Sequence, residues 1–547
     1  MKYIFSISFI LISFSIVAQN VKHDIFMVSL TDKNNNPFSV FHPQDYLSMR
    51  ALERREMQQI SIDERDLPVN PDYIAKIEAL GGVIVLKSKW LNAVSVYIPD
   101  SIKKTKIDNL PFVMDVMPLG FRKEPKEYKI LAHFPYEKYN EQDNYYGLTL
   151  NQVAMLSGHV LHGMGFAGEG KRVAIFDGGF TSVYRMPAFD SLYANNRILG
   201  TRDFVEGDEF VYEASSHGTN VLSCMAANLP YLVMGTAPSA SYYLFKTEDV
   251  GSEFRIEEFN WLVAAEHADS LGVDVINSSL GYTTFNDADM NYKYEDLNGR
   301  TGICTRGADI AVEKGMLVVN SAGNEGDGSW KYIGTPADGV NVISVGAVRA
   351  NGSRASFSSF GPTPDGRIKP NVSAQGNRAS VAGMKGYSVT QTDGTSFSSP
   401  IMAGMVTTLW SAFPERSNWD IKDAIEAAGN QTMQPDSSLG YGIPDFFRAY
   451  LSLMDAGIAI TSKGQMYSTR TLILDELKLM VETDKVCSIR YTLYDKLEVE
   501  LYQNTVSSGP YEVRLLELPI LKDLAPDVYY IKIEVGDQCH YSEIIKG

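Results

Sequence analysis

Three short segments of the chain carry residue types that nucleophilic catalysis uses. Asp177 ends an apolar run and precedes two glycines, His217 stands in Ser-Ser-His-Gly-Thr, and Ser396 stands in Gly-Thr-Ser-Phe-Ser-Ser-Pro. A serine hydroxyl is a weak nucleophile until a neighbouring base removes its proton, and a third group commonly orients that base. A carboxylate, an imidazole and a hydroxyl brought to one place would support acyl transfer.

Each segment also has an ordinary structural interpretation. Asp177 could be a turn residue or a ribose-binding acid, His217 could be structural, and Ser396 could cap a helix. The position of Asp177 is compatible with catalysis, because it follows a predicted strand, and in open parallel sheets the carboxyl ends of strands face the ligand crevice. Ser396 precedes an apolar helical stretch, so its hydroxyl and N–H would lie at the positive end of a helix dipole, where an oxyanion is stabilised.

The elements that must position these residues lie in residues 145–455. Short apolar runs alternate there with helical patterns. This alternation predicts βαβ units, and so an α/β domain with a parallel sheet and helices on both faces. All three candidate residues fall within this predicted catalytic domain.

A smaller α+β unit is predicted before it, in residues 19–120. Its patterns indicate strands at 24–30, 83–86, 93–98 and 112–117 and helices at 71–80 and 101–110. The order β-α-β-β-α-β is a ferredoxin-like plan. Residues 121–144 are polar and lack periodicity, which predicts an exposed linker that is easily cut.

Residues 456–547 change to short alternating runs and predict a small all-β sandwich. In one of these runs Tyr529, Ile531 and Ile533 share a face, as a half-buried strand requires.

The first residues predict export. Lys2 precedes an uncharged apolar run over residues 3–17, and Ala18 offers a small-residue cleavage point, so residues 1–18 are predicted to be a signal peptide. As a membrane anchor the run is short of the ~20 apolar residues that span a bilayer. No later segment is long and apolar enough to cross a membrane, so we expect a secreted or surface-attached protein without a transmembrane segment in its mature form.

The composition argues against nucleic-acid binding and against a zinc site, and it leaves open whether two cysteines form a disulfide. The formal charge of -17 over 547 residues opposes nucleic-acid binding, which depends on Lys and Arg displacing counterions. The four cysteines lack the paired spacing of a zinc site. Cys487 and Cys539 both fall in the β-rich tail and could pair in an oxidising compartment.

Together the three catalytic segments resemble the subtilisin family of serine proteases, in the chain order Asp, His, Ser that the family uses. Further segments agree with the resemblance, which spans about residues 145 to 454. They are GTAP at 235–238, DVINSSLG at 274–281, SAGNEG at 321–326, VISVGAV at 342–348 and RASFSSFG at 354–361.

The resemblance implies a role for each matching residue. Ser396 would be the nucleophile, His217 the general base and then acid, and Asp177 the group that orients the imidazole. Asn324 matches the amide of the oxyanion hole and would act with the Ser396 N–H. Because His217 must be neutral to accept a proton, activity is expected to fall below roughly pH 6.5.

The resemblance also implies a substrate site. Residues Ser279, Leu280 and Gly281 match the extended segment that pairs with substrate backbone, a mode that accepts many sequences. The pocket for the residue before the scissile bond would be walled by Ser321, Ala322 and Gly323, with Gly334 at its base. Such small linings predict a preference for large apolar residues (Phe, Tyr, Leu or Met) within a broad specificity.

The family's chemistry needs no cofactor, and structural Ca²⁺ is possible, although no segment identifies metal ligands. Three departures from the family pattern stand out. Gly178 replaces the usual Ser or Thr, Phe397 replaces an oxidisable Met, and residues 282–306 are longer and more polar than in the simplest members. We expect Phe397 to make the site resistant to peroxide.

The flanking units resemble known accessory domains. The ferredoxin-like unit resembles the family's propeptide, which assists folding and then inhibits the cleft of its own chain; a stably retained domain is the alternative. The tail resembles the C-terminal sorting domain of type IX secretion cargo, mainly through residues 524–533 and 543–546, although Asp527 stands where Gly is usual. The alternative is an accessory β-sandwich that binds substrate or a surface.

The predicted function is therefore a secreted serine endopeptidase that acts on proteins or peptides, with its own propeptide and the secretion machinery as partners. Two rival functions differ in chemistry. One is a catalytically idle surface-binding homologue, which an intact set of site residues disfavours. The other is a carboxyl peptidase of the Ser-Glu-Asp kind, which His217 within His-Gly-Thr disfavours.

Overall fold

The computed structural model describes residues 23–98, 101–121, 144–454, 457–460, 464–468, 472–473, 477–510 and 512–546. The predicted signal peptide and nearly all of the predicted linker lie outside these residues. Within the described part of the chain, no helix combines the length and apolar character needed to span a bilayer.

The N-terminal domain is an antiparallel sheet of four strands in the order β2-β3-β1-β4, and two of its helices pack on one face of the sheet. The strands are β1 (Ile25–Leu30), β2 (Val83–Ser88), β3 (Ala93–Tyr97) and β4 (Val113–Gly120), and the helices are α1 (Met49–Met57), α2 (Pro71–Ala79) and α3 (Ser101–Asp108). Side chains alternate across a strand, so Phe26 and Val28 pack with α2 and α3, while Ile25 and Met27 pack on the catalytic domain.

Helix α1 is an addition to the predicted ferredoxin-like plan. It lies in residues 32–70, between β1 and α2, a segment that we name the arm. Its N-cap is Ser48, whose side chain accepts a hydrogen bond from the N–H of Ala51. The helix is too short and polar to stand out by periodicity, and its buried arginines Arg54 and Arg55 both bond Asp269 of the catalytic domain.

The catalytic domain is built on a parallel sheet of seven strands in the order β13-β12-β11-β10-β5-β9-β6. Its strands are β5 (Arg172–Asp177), β6 (Ile198–Asp203), β9 (Ser241–Lys246), β10 (Val275–Ser278), β11 (Leu317–Ser321), β12 (Ile343–Val348) and β13 (Val372–Gln375). Two small hairpins flank it, formed by β7 (Asn228–Leu229) with β8 (Val233–Met234) and β14 (Ala379–Ala382) with β15 (Val389–Thr392).

Helices cover both faces of this sheet, as the alternating pattern predicted. They are α4 (Leu150–Ala154), α5 (Gly158–Gly163), α6 (Asp190–Ala194), α7 (His217–Ala226), α8 (Ile256–Ser270), α9 (Ile303–Glu313), α10 (Thr395–Ala412), α11 (Asn418–Ala427) and α12 (Phe446–Leu453). On β5, Val173 and Ile175 join the core around α7 and α10, whereas Ala174 and Phe176 join the core around α8 and α9. Apolar residues on both faces explain why the strand reads as a continuous apolar run.

The C-terminal region forms the predicted all-β unit from two sheets, in the orders β17-β16-β19-β22 and β18-β24-β23-β20-β21. Its strands are β16 (Gly457–Ile460), β17 (Met466–Ser468), β18 (Leu472–Ile473), β19 (Lys478–Thr483), β20 (Cys487–Asp495), β21 (Glu500–Ser508), β22 (Glu512–Leu516), β23 (Asp527–Val535) and β24 (Gln538–Lys546). Tyr529, Ile531 and Ile533 enter its core, as their alternation predicted. All four cysteines are free thiols, so Cys487 and Cys539 are not bridged in this structure.

Candidate active site

The candidate catalytic residues meet at one edge of the parallel sheet. Asp177 is the last residue of β5, Ser279 follows β10, and Ser321 ends β11, and these three strands are neighbours in the sheet. Their carboxyl ends therefore open on the same crevice. The crevice is a cleft of about 580 Å³ whose lining also includes His217 and Ser396.

Asp177 and His217 are directly hydrogen-bonded. The ring Nδ1 of His217 lies 2.8 Å from Oδ2 of the carboxylate, while Oδ1 accepts a hydrogen bond of 2.8 Å from the N–H of Gly178. Asp177 is almost fully buried, whereas the side chain of His217 is 37% exposed toward the cleft. The carboxylate thus holds one ring nitrogen and leaves the other facing the cleft.

Gly218 makes this contact possible, because the first turn of α7 lies close against the end of β5. A Cβ at this position would lie 2.5 Å from the carbonyl oxygen of Gly179 and 2.9 Å from Cβ of Asp177. Any side chain would force the helix and the strand apart. The Gly in the His-Gly-Thr segment is therefore a packing requirement of the Asp177–His217 pair.

The charge of Asp177 changes the acidity of the imidazole. It raises the pKa of His217 above its ordinary value, burial of the ring opposes the rise, and the hydrogen bond to Asp177 adds to it. The neutral form of the ring, which can accept a proton, is therefore lost at a higher pH than in a free histidine.

Ser396 is the second residue of α10 and lies at the positive end of that helix. Its hydroxyl donates a hydrogen bond of 3.3 Å to the carbonyl of Ser279, and the hydroxyl of Ser279 donates one of 2.9 Å to the carbonyl of Ser396. Among the described hydrogen bonds, none joins Ser396 to His217. Ser279, predicted only as a substrate-binding residue, thus also holds the segment that carries Ser396.

Thr395 fixes the amide of Asn324. The backbone N–H and the hydroxyl of Thr395 both donate to Oδ1 of Asn324, at 2.9 and 3.0 Å, and the same hydroxyl accepts the N–H of Gly323 at 3.1 Å. Because the amide oxygen is held by a backbone donor, the amide nitrogen is the group left to donate. Asn324 belongs to the same cleft lining as Ser396.

Most of the predicted substrate-binding residues line the cleft. These are Ser279, Leu280, Gly281, Ser321, Gly323 and Gly334. Ala322 does not, because its side chain is fully buried in a small core with Leu297, Ile333 and Ala337 beneath the cleft. Side chains alternate along an extended segment, so Ala322 points away from the wall that its neighbours form.

Two glycines keep the predicted pocket open. Gly323 has φ +110, and a Cβ there would lie 2.9 Å from Oγ of Ser359. A Cβ at Gly334 would lie 3.2 Å from a methyl group of Thr283, and both Thr283 and Tyr332 belong to the lining. Thr283 shows that the longer polar segment 282–306 contributes to the cleft.

Three glutamates that the sequence analysis did not single out line the same cleft. One carboxylate oxygen from each of Glu248, Glu253 and Glu257 lies within 4.8 Å of the other two. Glu257 accepts the N–H groups of Asp249 at 2.9 Å and Phe254 at 3.0 Å, which fixes the loop along one wall. Burial raises the pKa of Glu253 to about 7 and raises the pKa of the other two carboxyls as well.

Thr395 and the three glutamates were not identified from the sequence for the same reason, because their contacts join remote segments of the chain. Thr395 lies inside the motif around Ser396, but its bonds to Asn324 join residues 71 positions apart. Glu248, Glu253 and Glu257 have the spacing of an ordinary solvated loop and helix start. No signal in the sequence shows that this loop folds back onto the cleft.

Comparison with known proteins assigns the chain to a family. Residues 168–442 match the Subtilase family. The chain belongs to this family. Residues 25–129 match a second family, described as the Peptidase S8 propeptide domain of Bacteroidota. The ferredoxin-like unit of this subtilase is thereby identified as a propeptide domain, as its plan and position predicted.

Curated relatives agree with the family assignment. Subtilisin NAT from Bacillus subtilis subsp. natto is 33% identical to this subtilase over 313 residues, 56% of this chain and 73% of that protein. Subtilisin from Bacillus pumilus is 32% identical over 295 residues, 53% of this chain and 94% of its own. This subtilase is thus a subtilisin-like serine endopeptidase.

Among solved structures, MycP1 from the ESX-1 type VII secretion system aligns with a TM-score of 0.44 and 18% identity over 59% of this chain and 90% of that one.

Proposed function

We propose that Ser396, His217 and Asp177 carry out peptide hydrolysis in this subtilase. The observation that carries the proposal is the 2.8 Å contact between His217 Nδ1 and the buried carboxylate of Asp177, at the cleft that Ser396 lines. His217 would take the proton of the Ser396 hydroxyl as Oγ attacks the scissile carbonyl. It would then give that proton to the leaving amine, and a water activated in the same way would release the acyl group.

Asn324 and the N–H of Ser396 would stabilise the oxyanion that forms during attack. Support comes from Thr395, which holds the oxygen of the Asn324 amide and leaves its N–H₂ as the donor. The N–H of Ser396 belongs to the first turn of α10, where backbone donors have no partner within the helix. Donors fixed before the reaction lower its barrier because they need no reorganisation.

The attack requires one local movement. In the structure the Ser396 hydroxyl donates to Ser279 over a long 3.3 Å bond. Rotation about its Cα–Cβ bond would bring Oγ toward His217 at small cost, because side chains exchange between staggered rotamers readily. Catalytic hydrogen bonds commonly tighten only when substrate is bound.

We infer that substrates lie along Ser279, Leu280 and Gly281 in an extended form, with the residue before the scissile bond between Gly323 and Gly334. Small residues there favour large apolar side chains such as Phe, Tyr, Leu and Met. The chemistry assigned uses only protein groups, as in the subtilisins that this chain matches, and structural calcium stays a prediction.

The propeptide would inhibit the cleft until the linker is cut, and the enzyme would then act outside the cell. Export rests on the predicted signal peptide and on similarity to subtilisins. The C-terminal unit is proposed as a sorting domain for type IX secretion, with an accessory binding module as the alternative. Its all-β fold is compatible with both roles. Measuring whether a chain that lacks residues 457–547 is still secreted would distinguish them, because only a sorting domain is required for secretion.

Labelling with a fluorophosphonate tests the catalytic proposal against an idle homologue. We expect the processed wild-type enzyme to be labelled once, at Ser396, and the Ser396→Ala variant to be neither labelled nor active on casein. The exposed Ser353→Ala variant serves as control and should behave as wild type. Failure to label the processed wild type, or labelling of Ser396→Ala, would sink the proposal.

A further inference from the structure

Three glutamates form one wall of the cleft, which we name the acidic wall. Carboxylate oxygens of Glu248, Glu253 and Glu257 lie within 4.8 Å of one another, and all three residues belong to the lining that includes Ser396 and His217. Among the described residues, no lysine, arginine or histidine forms an ion pair with any of the three. The acidic wall is therefore part of the substrate cleft and lacks a partner of opposite charge there.

Hydrogen bonds hold the acidic wall in place. The N–H of Glu253 donates to Oδ1 of Asn286 at 2.6 Å, and the N–H of Asn286 donates to the carbonyl of Glu253 at 2.9 Å. Glu257 is 1% exposed, and its two carboxylate oxygens each accept a backbone N–H. A ligand therefore meets carboxylates that are already ordered, which favours binding.

Glu248 has one carboxylate oxygen without a partner. Oε1 accepts the hydroxyls of Tyr282 at 2.7 Å and Thr247 at 2.8 Å, whereas Oε2 accepts no hydrogen bond from the described residues. Glu248 is only 8% exposed, and a buried acceptor without a donor is unfavourable. Burial raises the pKa of all three carboxyls, so a proton offsets part of this cost when the cleft is empty. A cation in the cleft would take the place of that proton.

The segment proposed to pair with substrate leads from the nucleophile toward the acidic wall. Ser279, at one end of this segment, is hydrogen-bonded to Ser396. Tyr282, the residue after its other end, donates its hydroxyl to Glu248. A substrate that follows the segment away from Ser396 therefore approaches the acidic wall.

Sheet geometry shows which substrate residue would reach the acidic wall. The strands lie in the order β11-β10-β5-β9, the apolar pocket is proposed between the ends of β10 and β11, and Glu248 follows β9. Two to three strand spacings of ~4.8 Å separate the pocket from the end of β9, which is about 10–14 Å. Because an extended peptide advances ~3.3 Å per residue, the acidic wall lies about three or four residues upstream of the pocket.

The chain itself carries basic residues next to this part of the cleft. Phe121, the last described residue before the linker, lines a second cavity together with Phe254 and Glu257. Its ring lies 5.5 Å from the ring of Phe254. The next two residues in the sequence are Arg122 and Lys123. The charge that the acidic wall lacks thus follows directly on a residue that shares a cavity with Glu257.

A basic side chain fits the acidic wall better than a metal ion does. Both oxygens of Glu257 already accept N–H groups, and Oε1 of Glu248 already accepts two hydroxyls. This leaves few oxygens for the roughly six to eight ligands that Ca²⁺ takes. An ammonium or a guanidinium carries its own N–H donors and needs only a few acceptors.

We propose that Glu248, Glu253 and Glu257 make this enzyme select substrates that carry Lys or Arg three or four residues before the residue in the apolar pocket. The inference rests on the proposed endopeptidase function and names part of its substrate class. It adds an upstream electrostatic preference to the apolar preference of the pocket.

Matched peptides test this specificity on the processed enzyme. Each peptide has Phe before the scissile bond, and Lys, norleucine or Glu is placed at successive positions upstream of that Phe. At mildly alkaline pH we expect Lys at the third or fourth position to raise kcat/KM over norleucine by about tenfold to hundredfold. Glu at the same position should lower kcat/KM, because like charges repel.

Two variants of Glu253, which is only partly buried, separate a role in specificity from a structural role. Glu253→Gln should reduce the preference for Lys. Glu253→Lys should reverse the preference toward Glu peptides, an effect that loss of a structural contact would not produce. The exposed Glu295→Gln variant is the matched control and should keep the wild-type preference.

The experiment distinguishes failure of this inference from failure of the proposed function. Cleavage of the norleucine peptide, with fluorophosphonate labelling of Ser396, reports an active endopeptidase whatever the upstream residue is. Equal kcat/KM for Lys and norleucine peptides at every position would overturn the proposal, as would a preference for Lys that persists in Glu253→Lys. A preference that EDTA abolishes would assign the glutamates to a metal ion and would also overturn it.

Discussion

At the scale of single residues, Thr395 is the group whose importance the structure reveals. Its hydroxyl and N–H hold Asn324, so Thr395→Val should lower kcat by about tenfold to hundredfold with KM little changed, because a misaligned donor acts mainly on the transition state. Thr395→Ser should restore most of the activity. Asn324→Leu should lose on the order of 10²–10³, the loss known for an oxyanion-hole donor of subtilisin itself. Equal loss in the Val and Ser variants would refute the orienting role of the hydroxyl.

The pair Asp177–His217 sets the acid limit of activity. The neighbouring carboxylate raises the pKa of His217, and the base form is required, so activity is full above that raised pKa and is lost as the pH falls through it. We expect the acid limb of kcat/KM to lie above the ordinary histidine value of about 6.5. Asp177→Asn should move the limb to lower pH and lower kcat by on the order of 10⁴. A limb that does not move would contradict the assignment.

Phe397 occupies the position beside the nucleophile. Its ring is 4% exposed and lies 5.8 Å from the ring of His217, so no sulfur adjoins Ser396 on this side. We expect activity to survive mild peroxide, whereas Phe397→Met should become sensitive, because methionine oxidises to a polar sulfoxide. Residual activity after timed peroxide exposure, with mass spectrometry of the peptide around Ser396, measures this. Equal sensitivity of the two enzymes would refute it.

At the scale of elements, the loop between β9 and α8 buries the Glu253 carboxyl beside the cleft, where its charged form is unfavourable. Burial, aided by Glu258, raises the pKa of Glu253 from 4.5 to about 7. The protonated form of Glu253 is therefore favoured in the folded state. The stability that this protonation contributes is fully present below about pH 4.5 and is lost as the pH rises through about 7.

Glu253→Gln should therefore flatten the decline in stability between pH 5 and pH 8.5, by on the order of 1–3 kcal/mol. Thermal unfolding in a Ser396→Ala background measures it without autolysis. The exposed Glu295→Gln variant is the control and should follow the wild type. A Glu253→Gln variant as pH-sensitive as the wild type would show that Glu253 is charged throughout.

Elements with a strong local hydrophobic pattern could be predicted from the sequence, whereas elements without such a pattern could not. Strand β5 could be predicted because both of its faces are apolar, and the start of α10 because small polar residues precede a long apolar helix. Helix α1 was not predicted, because Arg54 and Arg55 make it look like a solvated helix. Their burial depends on Asp269, a residue more than 200 positions away.

At the scale of the whole molecule, the C-terminal unit is part of the catalytic domain's packing. Met480 and Val513 join the core formed with α5 and α12, and His159 lies 3.7 Å from Glu482. A tail that served only as a removable secretion signal would not need such contacts.

Deleting residues 457–547 should therefore destabilise the catalytic domain by about 3 kcal/mol, from the burial lost at Met480 and Val513. All five tryptophans lie outside that tail, so their fluorescence reports unfolding of the remainder. Val513→Asn should reproduce part of the loss in the full chain, while Leu515→Asn, at a position 57% exposed on the same strand, should not. Unchanged unfolding after deletion would show that the tail is an independent module.

The sequence by itself determined the order of domains, the α/β class of the catalytic domain and the identity of Asp177, His217, Ser396 and Asn324 as candidates. These follow from local patterns, since periodicity, glycines and short motifs act within a few residues of one another. Only the tertiary structure decided that Ala322 points away from the cleft, that Thr395 orients Asn324, and that Arg54 and Arg55 of α1 bond Asp269 of the catalytic domain. Such facts depend on burial and on which distant partner meets each polar group, and contacts between remote segments leave no mark on the residues nearby.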